Sequence, residues 1–384
     1  MHPGFVSKTF DKLATIASGI ANSSIAEWKS HGGAVVGYMC SFVPEEVLIA
    51  AGTTAFRIRG TGSKDAVRAS EYFTSFTCSF VRHCFDQILL GEYAFLDGAV
   101  IGTGCDTNRM LFDNWNHSPA RRPFSYQLIY PHATNAECAN YFREQLAKMK
   151  AALETHFSVR ITDQKLWDAI ALCNETRTLQ QQLYALRHVE SPPITGSETV
   201  AVMVAGSSMP KAEYNADLKT LLGELRGAPA SDKHYRARLM LVGSGHDDPS
   251  ICEIAEDLGA LVVSDFTCFG GKMICGGVAV SGGDPLQALA DYQVLVRPFC
   301  PKVLGSHTNI KKAVFDMVAA SRADGVVGQN FSCCDTWGGE LYSLAAELRE
   351  AGLPYLKLER EYVPDSKGQL QTRLQALIET ITTD

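Results

Sequence analysis

Three times along this chain a short β-rich apolar run leads through a turn into cysteine and then a helix-forming stretch. The segments are AVVGYMCSFVPEEVLIAAG (34 to 52), FLDGAVIGTGCDTN (95 to 108) and ADGVVGQNFSCCDTWGGELYSLAAELREAG (323 to 352). This rhythm predicts an α/β fold with parallel strands, because parallel neighbours need a crossover and the crossover is usually a helix. In open parallel sheets, ligands gather at the carboxyl ends of strands, where loops from several crossovers converge. Cys40, Cys105 and the Cys333/Cys334 pair stand at that position, placed to share one ligand.

Along the chain, residues 5 to 29 read as helical and Gly32 to Gly52 as strand, turn and helix. In EYFTSFTCSFVRHCFDQILLG (71 to 91), Phe76, Phe80, Val81, Cys84, Phe85, Ile88 and Leu89 fall at helical spacing, with Gly91 as terminator and Cys78 near the start. A helix start carries partial positive charge, which favours a thiolate or an anionic group. After a strand through Val100 comes a Pro-flanked strand, YQLIYPH, then a helix from about Ala136 to His156. Leu166, Ile170, Cys173, Leu179, Leu183 and Leu186 continue at three- to four-residue steps, as in a connecting helix. SPPITGSE (191 to 198) breaks the pattern, and residues 237 to 268 read as strand, Gly turn, helix and strand, the βαβ unit of a parallel sheet. The expected division is an N-terminal lobe over 1–160, a helical connector over 161–195 and a C-terminal lobe over 196–384.

Composition bounds the function. A chain of 384 residues, 46% hydrophobic and 20% charged, is long enough for two or three buried cores. Net charge of −7 and no Lys/Arg block beyond pairs such as Arg121-Arg122 argue against nucleic acid as a partner. No run of about 18 uncharged apolar residues suggests a membrane span, and Met1-His2-Pro3-Gly4 lacks a basic segment leading into an apolar core, so a cytoplasmic location is the expectation. There, twelve cysteines serve metal binding, catalysis or burial rather than disulfides.

The competing motifs are weak. VGSG (242 to 245) lacks the GxGxxG spacing of a dinucleotide loop and fits a tight turn, and no GxxxxGK[ST] is present. A cysteine nucleophile at Cys105 or Cys334 has His132, His246 and His307 as candidate bases, but nothing joins them into a triad. Cys173, Cys252 and Cys300 read as apolar filling.

Five segments carry a family resemblance: YMCSFVPEEVLIAAG, FTCSFVRHCFDQILLGEYAFLDGAVIGTGCDTNR, PPITGSE, the CDTWGGE helix start, and PYLKLEREYVPDSKGQLQTRLQALIE. In order and over nearly the whole chain, they resemble the 2-hydroxyacyl-CoA dehydratase and benzoyl-CoA reductase family. The resemblance implies two Rossmann-like lobes with parallel sheets and a 4Fe-4S cluster held by three cysteines in the interlobe cleft. On matching motifs the ligands are Cys78 (CSFVR), Cys105 (CDTNR) and Cys334 (CDTW), with Cys333 as the alternative to Cys334 and Cys84 as a neighbour on the following turn. Three thiolates leave one iron of a cubane open for another ligand. The resemblance also raises a double-cubane arrangement in which two 4Fe-4S units, one from each of two subunits, share a bridging sulfide.

Within the family, WGGE after Cys334, MPKAEYN (209 to 215) and EREYVPDSKGQLQTR look most like the smaller cluster-binding subunit of an ATP-dependent benzoyl-CoA reductase. That implies an oxidoreductase module with a homologous subunit, two ATPase activator subunits, ferredoxin as donor and an aromatic acyl-CoA as substrate, reduced to a cyclic dienoyl-CoA. The alternatives are a (R)-2-hydroxyacyl-CoA dehydratase subunit and a non-catalytic electron-transfer subunit. Glu46 and Glu340 are the candidate proton donors, weighed against exposed helix-start carboxylates favoured by the dipole. Trp337 is a candidate pocket wall, and Lys302 and Arg82 are candidate contacts for CoA phosphates.

Overall fold

A computed structural model describes residues 7–228, 234–297, 300–363 and 367–383. Among the described residues, eight strands form two parallel sheets. The first contains β1 (Val35–Met39), β2 (Thr54–Arg57), β3 (Gly98–Gly102) and β4 (Phe124–Leu128) in the order β2-β1-β3-β4. The second contains β5 (Ala237–Gly243), β6 (Ala260–Phe266), β7 (Gly325–Phe331) and β8 (Tyr355–Arg360) in the order β6-β5-β7-β8. The two orders are the same, so each sheet has one switch point, between β1 and β3 and between β5 and β7, where successive crossovers leave in opposite directions and open a crevice. Every residue of β1, β2, β3, β6 and β7 is buried, as expected of parallel strands covered on both faces.

Helices α1 (Lys8–Ser18) and α2 (Ser23–Ser30) precede the first sheet, α3 (Glu45–Ala50), α4 (Ser79–Leu89) and α5 (Asp106–His117) lie between its strands, and α6 (Ala136–Phe157) follows it. Between the sheets run α7 (Asp163–Arg187), α8 (Gly196–Gly206) and α9 (Lys211–Arg226). In the second sheet's half, α10 (Ser250–Asp257) joins β5 to β6, α11 (Pro285–Asp291) and α12 (His307–Ser321) lie between β6 and β7, α13 (Asp335–Glu350) joins β7 to β8, and α14 (Lys367–Thr383) follows β8. None of the described helices is long and apolar enough to cross a membrane. The TGSE of the 191 to 198 break is a capping box: the Thr195 side chain accepts from the Glu198 N–H while the Glu198 carboxylate accepts from the Thr195 N–H, which starts α8. Gly243 has φ 154 and sits so close to β7 that a Cβ would collide with the Gln329 carbonyl, so VGSG is a packing turn.

Three local expectations change. Residues 5 to 29 are two helices within the described part, because the Asn22 side chain caps α2 by accepting from the Ile25 N–H. The 71 to 91 helix begins only at Ser79: Cys78, with ψ 123, is outside the helical conformation, and the Ser79 N–H is spent on the Ser332 carbonyl 3.0 Å away. The linear lobe boundaries are also crossed. Leu13, Ile16 and Ala17 of α1 share a core with Val202, Leu218 and Leu221 of α8 and α9. Conversely Val278, Leu286, Leu289, Tyr292 and Val294 return to the first lobe, where α11 covers the apolar face of α6 (Phe142, Leu146, Met149). An amphipathic face needs an apolar partner, and here each lobe takes one from the other end of the chain.

The first turn of α3 is clamped by two ion pairs: Glu45 to Lys211 of α9 at 2.8 Å, and Glu46 to Arg177 of α7. Glu46 is fully buried and Arg177 nearly so, its guanidinium lying 4.9 Å from the Tyr292 ring centroid. Removing one member of a buried pair leaves an uncompensated charge, which costs about 3 to 5 kcal/mol. Arg177→Met is therefore expected to lower the denaturant midpoint steeply, and Glu46→Leu added to it to recover most of the loss; a small effect of Arg177→Met in chemical denaturation removes the clamp.

Candidate functional site

The carboxyl ends of the two sheets border a common cavity, and six cysteines line it: Cys40, Cys78, Cys105, Cys268, Cys300 and Cys334. Four of them follow strands. Cys40 comes directly after β1, Cys105 after β3, Cys268 after β6 and Cys334 after β7. The switch points of both sheets thus open onto the same space. A larger apolar cleft of about 510 Å³ between α1, α8 and α10 contains no thiol.

Backbone geometry aims each thiol. Cys78, Cys105 and Cys334 are the N-cap residues of α4, α5 and α13, so each lies against the positive end of a helix. The Ser79 to Ser332 hydrogen bond joins the starts of the Cys78 and Cys334 segments across the lobes, and Phe80 stacks on Phe331 beside it, centroids 5.7 Å apart. Cys40 has φ 80, an uncommon left-handed conformation for a residue with a side chain, of the kind that clusters at functional sites. A Cβ at Gly104 would collide with Cys40 Sγ, so only glycine leaves this thiol its space. The Arg57 guanidinium donates to the Cys268 carbonyl, and that of Arg297 donates to the Ser41 carbonyl and to Gln293 Oε1 at 2.9 Å, tying the Cys40 loop to the segment that leads to Cys300.

Burial pushes the Cys40 and Cys105 thiols up, and that of Cys300 to about 12. The closeness of the Cys78 and Cys334 thiols raises Cys78 and pulls Cys334 down to about 7. The thiols influence one another all around the cavity: Cys78 feels Cys334 and Cys105, Cys40 and Cys300 both feel Cys268, and Cys105 feels Cys40, Cys334 and Cys300. Among the described residues no three His, Cys, Asp or Glu side chains are close enough to hold a single metal ion. A polynuclear iron–sulfur centre takes thiolates spread around its edges instead, and the six thiols around this cavity are of the donor type such a centre requires.

The sequence-derived candidates divide clearly. Cys78, Cys105 and Cys334 line the cavity together. Cys333, with φ 62, turns away, its thiol 3.7 Å from the Ser75 carbonyl. Cys84 is buried in the core beside Phe85 and Ile88, and Cys173 and Cys252 are buried filling as expected. Cys300, expected to be filling, borders the cavity instead. Cys268 had no role from its motif, although ALVVSDFTC repeats the strand-to-cysteine placement of the three flagged segments.

Neither candidate carboxylate borders the cavity. Glu46 is neutralised by Arg177, and Glu340 accepts from His307 Nδ1 at 2.8 Å, which raises the histidine. Trp337 is a wall of the cavity. Lys302 pairs with Asp106 at 3.0 Å and Arg82 with Glu361 at 3.1 Å. No histidine is among the lining residues, and His246 is buried 4.0 Å from Cys252, which leaves the nucleophile reading without a base. The lining cations are Arg57 and Lys272.

Relatives agree over most of the length. The chain is 25% identical to the beta subunit of (R)-2-hydroxyglutaryl-CoA dehydratase of Acidaminococcus fermentans, covering 93% of this chain and 95% of that one. It is 26% identical to a benzoyl-CoA reductase subunit of Thauera aromatica, over 88% and 87%, and 24% identical to the putative dehydratase subunit YjiM of Escherichia coli, over 93% and 94%. Residues 40–381, from the first cavity thiol to the last helix, match the family described as 2-hydroxyglutaryl-CoA dehydratase, D-component, and the chain belongs to that family.

Proposed function

We propose that this chain is the iron–sulfur subunit of the active-site module of an ATP-dependent benzoyl-CoA reductase, and that its own six thiols hold two linked 4Fe-4S units. The observation that carries the reading is the convergence of Cys40, Cys78, Cys105, Cys268, Cys300 and Cys334 on one cavity. Cys78, Cys105 and Cys334 hold one unit from three helix starts, and Cys40, Cys268 and Cys300 hold the other. This differs from a pair shared between subunits, because both sets of ligands lie in one chain.

When bound, such a centre supplies single electrons at low potential. The protein's part is to hold and insulate it. Phe80, Phe331 and Trp337 wall the cavity with apolar surface, and exclusion of water strengthens every charge interaction inside. The substrate pocket is completed by the homologous subunit, and two ATPase activator subunits pass on electrons from ferredoxin, with ATP hydrolysis meeting the cost of adding an electron to an aromatic thioester. No proton donor is assigned to Glu46 or Glu340, since both are engaged in pairs away from the cavity.

A (R)-2-hydroxyacyl-CoA dehydratase subunit is the second reading, supported by the dehydratase names among the relatives. That chemistry recycles one electron and uses one open iron on three thiolates. Two linked units in one chain suit a two-electron reduction better.

Protein purified anaerobically with its partner subunit is expected to contain about eight iron atoms per chain, two units of four. Alanine at Cys40, Cys268 or Cys300 is expected to lower that number as alanine at Cys78, Cys105 or Cys334 does, while Cys333→Ala, Cys84→Ala and Cys173→Ala keep it. About four irons per chain, indifferent to the Cys40 set, overturns the six-thiol assignment and returns the site to a single cubane. With the reconstituted ATPase partner, ATP consumption is expected to scale with benzoyl-CoA reduced; turnover of a 2-hydroxyacyl-CoA after a single activating round of ATP hydrolysis selects the dehydratase.

A further inference from the structure

Lys272 is wholly buried, borders the thiol cavity and, among the described residues, forms no ion pair with a carboxylate. The chain is folded to put it there. After β6 it turns back on itself, and a Cβ at Gly270 or Gly271 would collide with Asp265, so these two glycines let a short turn over Gly271–Met273 press against the strand end. Asp265, the acid of the same turn, is committed elsewhere: it accepts from the Gly271 N–H at 2.9 Å, from Thr267 Oγ1 at 2.8 Å and from the Tyr184 hydroxyl at 2.5 Å. Lys272 Nζ is left with Cys268 Sγ at 3.9 Å and the rings of Phe42 and Trp337 at 5.9 and 6.0 Å. Arg57, the other lining cation, is engaged by the Cys268 carbonyl and stacked 3.8 Å over Phe269.

A buried ammonium with no anion is expensive, so a fold that keeps one implies an anion at that place. Thiolates around a sulfide-bridged centre provide it. Burial raises the Cys40 and Cys300 thiols, and the nearby Lys272 pulls both down. We infer that Lys272 is the counter-charge of the half of the cluster site formed by Cys40, Cys268 and Cys300, and that it makes this half easier to reduce. The inference rests on the six-thiol reading. Each reduction adds one electron from the titanium(III) donor, and a cationic side chain beside this half offsets the added negative charge.

The test is an EPR-monitored redox titration with titanium(III) citrate on the anaerobic protein with its partner subunit, for wild type, Lys272→Met and Lys272→Arg, with iron and sulfide counted in each. Lys272→Met is expected to keep the iron and to shift one midpoint potential downward, while Lys272→Arg stays close to wild type. Loss of iron in the Met variant alone, with Arg retaining it, also supports a charge role. Unchanged midpoints in a fully loaded Met variant overturn the inference, as does equal loss of iron in both variants, which makes the residue a packing element. A wild type without iron fails the cluster reading itself, a separate outcome.

Discussion

The cavity depends on two parallel sheets meeting at their carboxyl ends, and on the contacts that hold them there. Parallel strands send all their forward loops to one edge, so a sheet of this kind has one reactive rim. Two such rims face each other here. Ser79 and Ser332 join them by a backbone hydrogen bond, Phe80 and Phe331 stack alongside, and Tyr362 donates its backbone N–H to Ser79 Oγ at 2.8 Å. These contacts fix the starts of α4 and α13 relative to each other, and with them Cys78 and Cys334.

Charge is distributed to match. Carboxylates near the site are consumed in pairs with Arg177, Lys211, His307, Lys302 and Arg82, while the cavity itself receives thiols, aromatic rings and two cations. A lining without carboxylates does not compete with an anionic ligand, and helix starts on one side and Lys272 on the other favour one. The raised thiols also mean that any metal bound here would displace protons, since thiolates are the metal ligands.

Much of this was legible in the sequence. Strand, turn and cysteine in succession pointed to a parallel sheet with thiols on its rim, and motif likeness picked out Cys78, Cys105 and Cys334. Cys268 was overlooked although it follows an apolar strand as Cys40 does. Cys300 was out of reach, because its place depends on the return of Val278, Leu286, Val294 and Val303 to the first lobe, and helical or strand periodicity carries no information about which lobe a face will cover. Glu46 and Glu340 lie apart from the cavity, each in an ion pair the sequence does not announce. A carboxylate at a helix start is ordinarily solvated, but α3 is buried beneath α6 and α7, and only the tertiary structure supplies the arginine that makes this tolerable for Glu46.

The crossed segments give the site its rigidity. Residues between β6 and α12 carry Cys268 from the second sheet, pass under α6 of the first lobe, and come back through Cys300. Hinge opening of the two lobes would therefore have to strip α11 from α6 and expose Leu286, Leu289 and Val294, whose burial contributes roughly 1.5 to 3 kcal/mol for each large aliphatic side chain. A packed core is bistable only where an alternative packing exists, and none is offered by a helix buried against a helix of the other half. The spacing of the six thiols is consequently set by the fold itself, and a group held between them meets a preformed arrangement of donors.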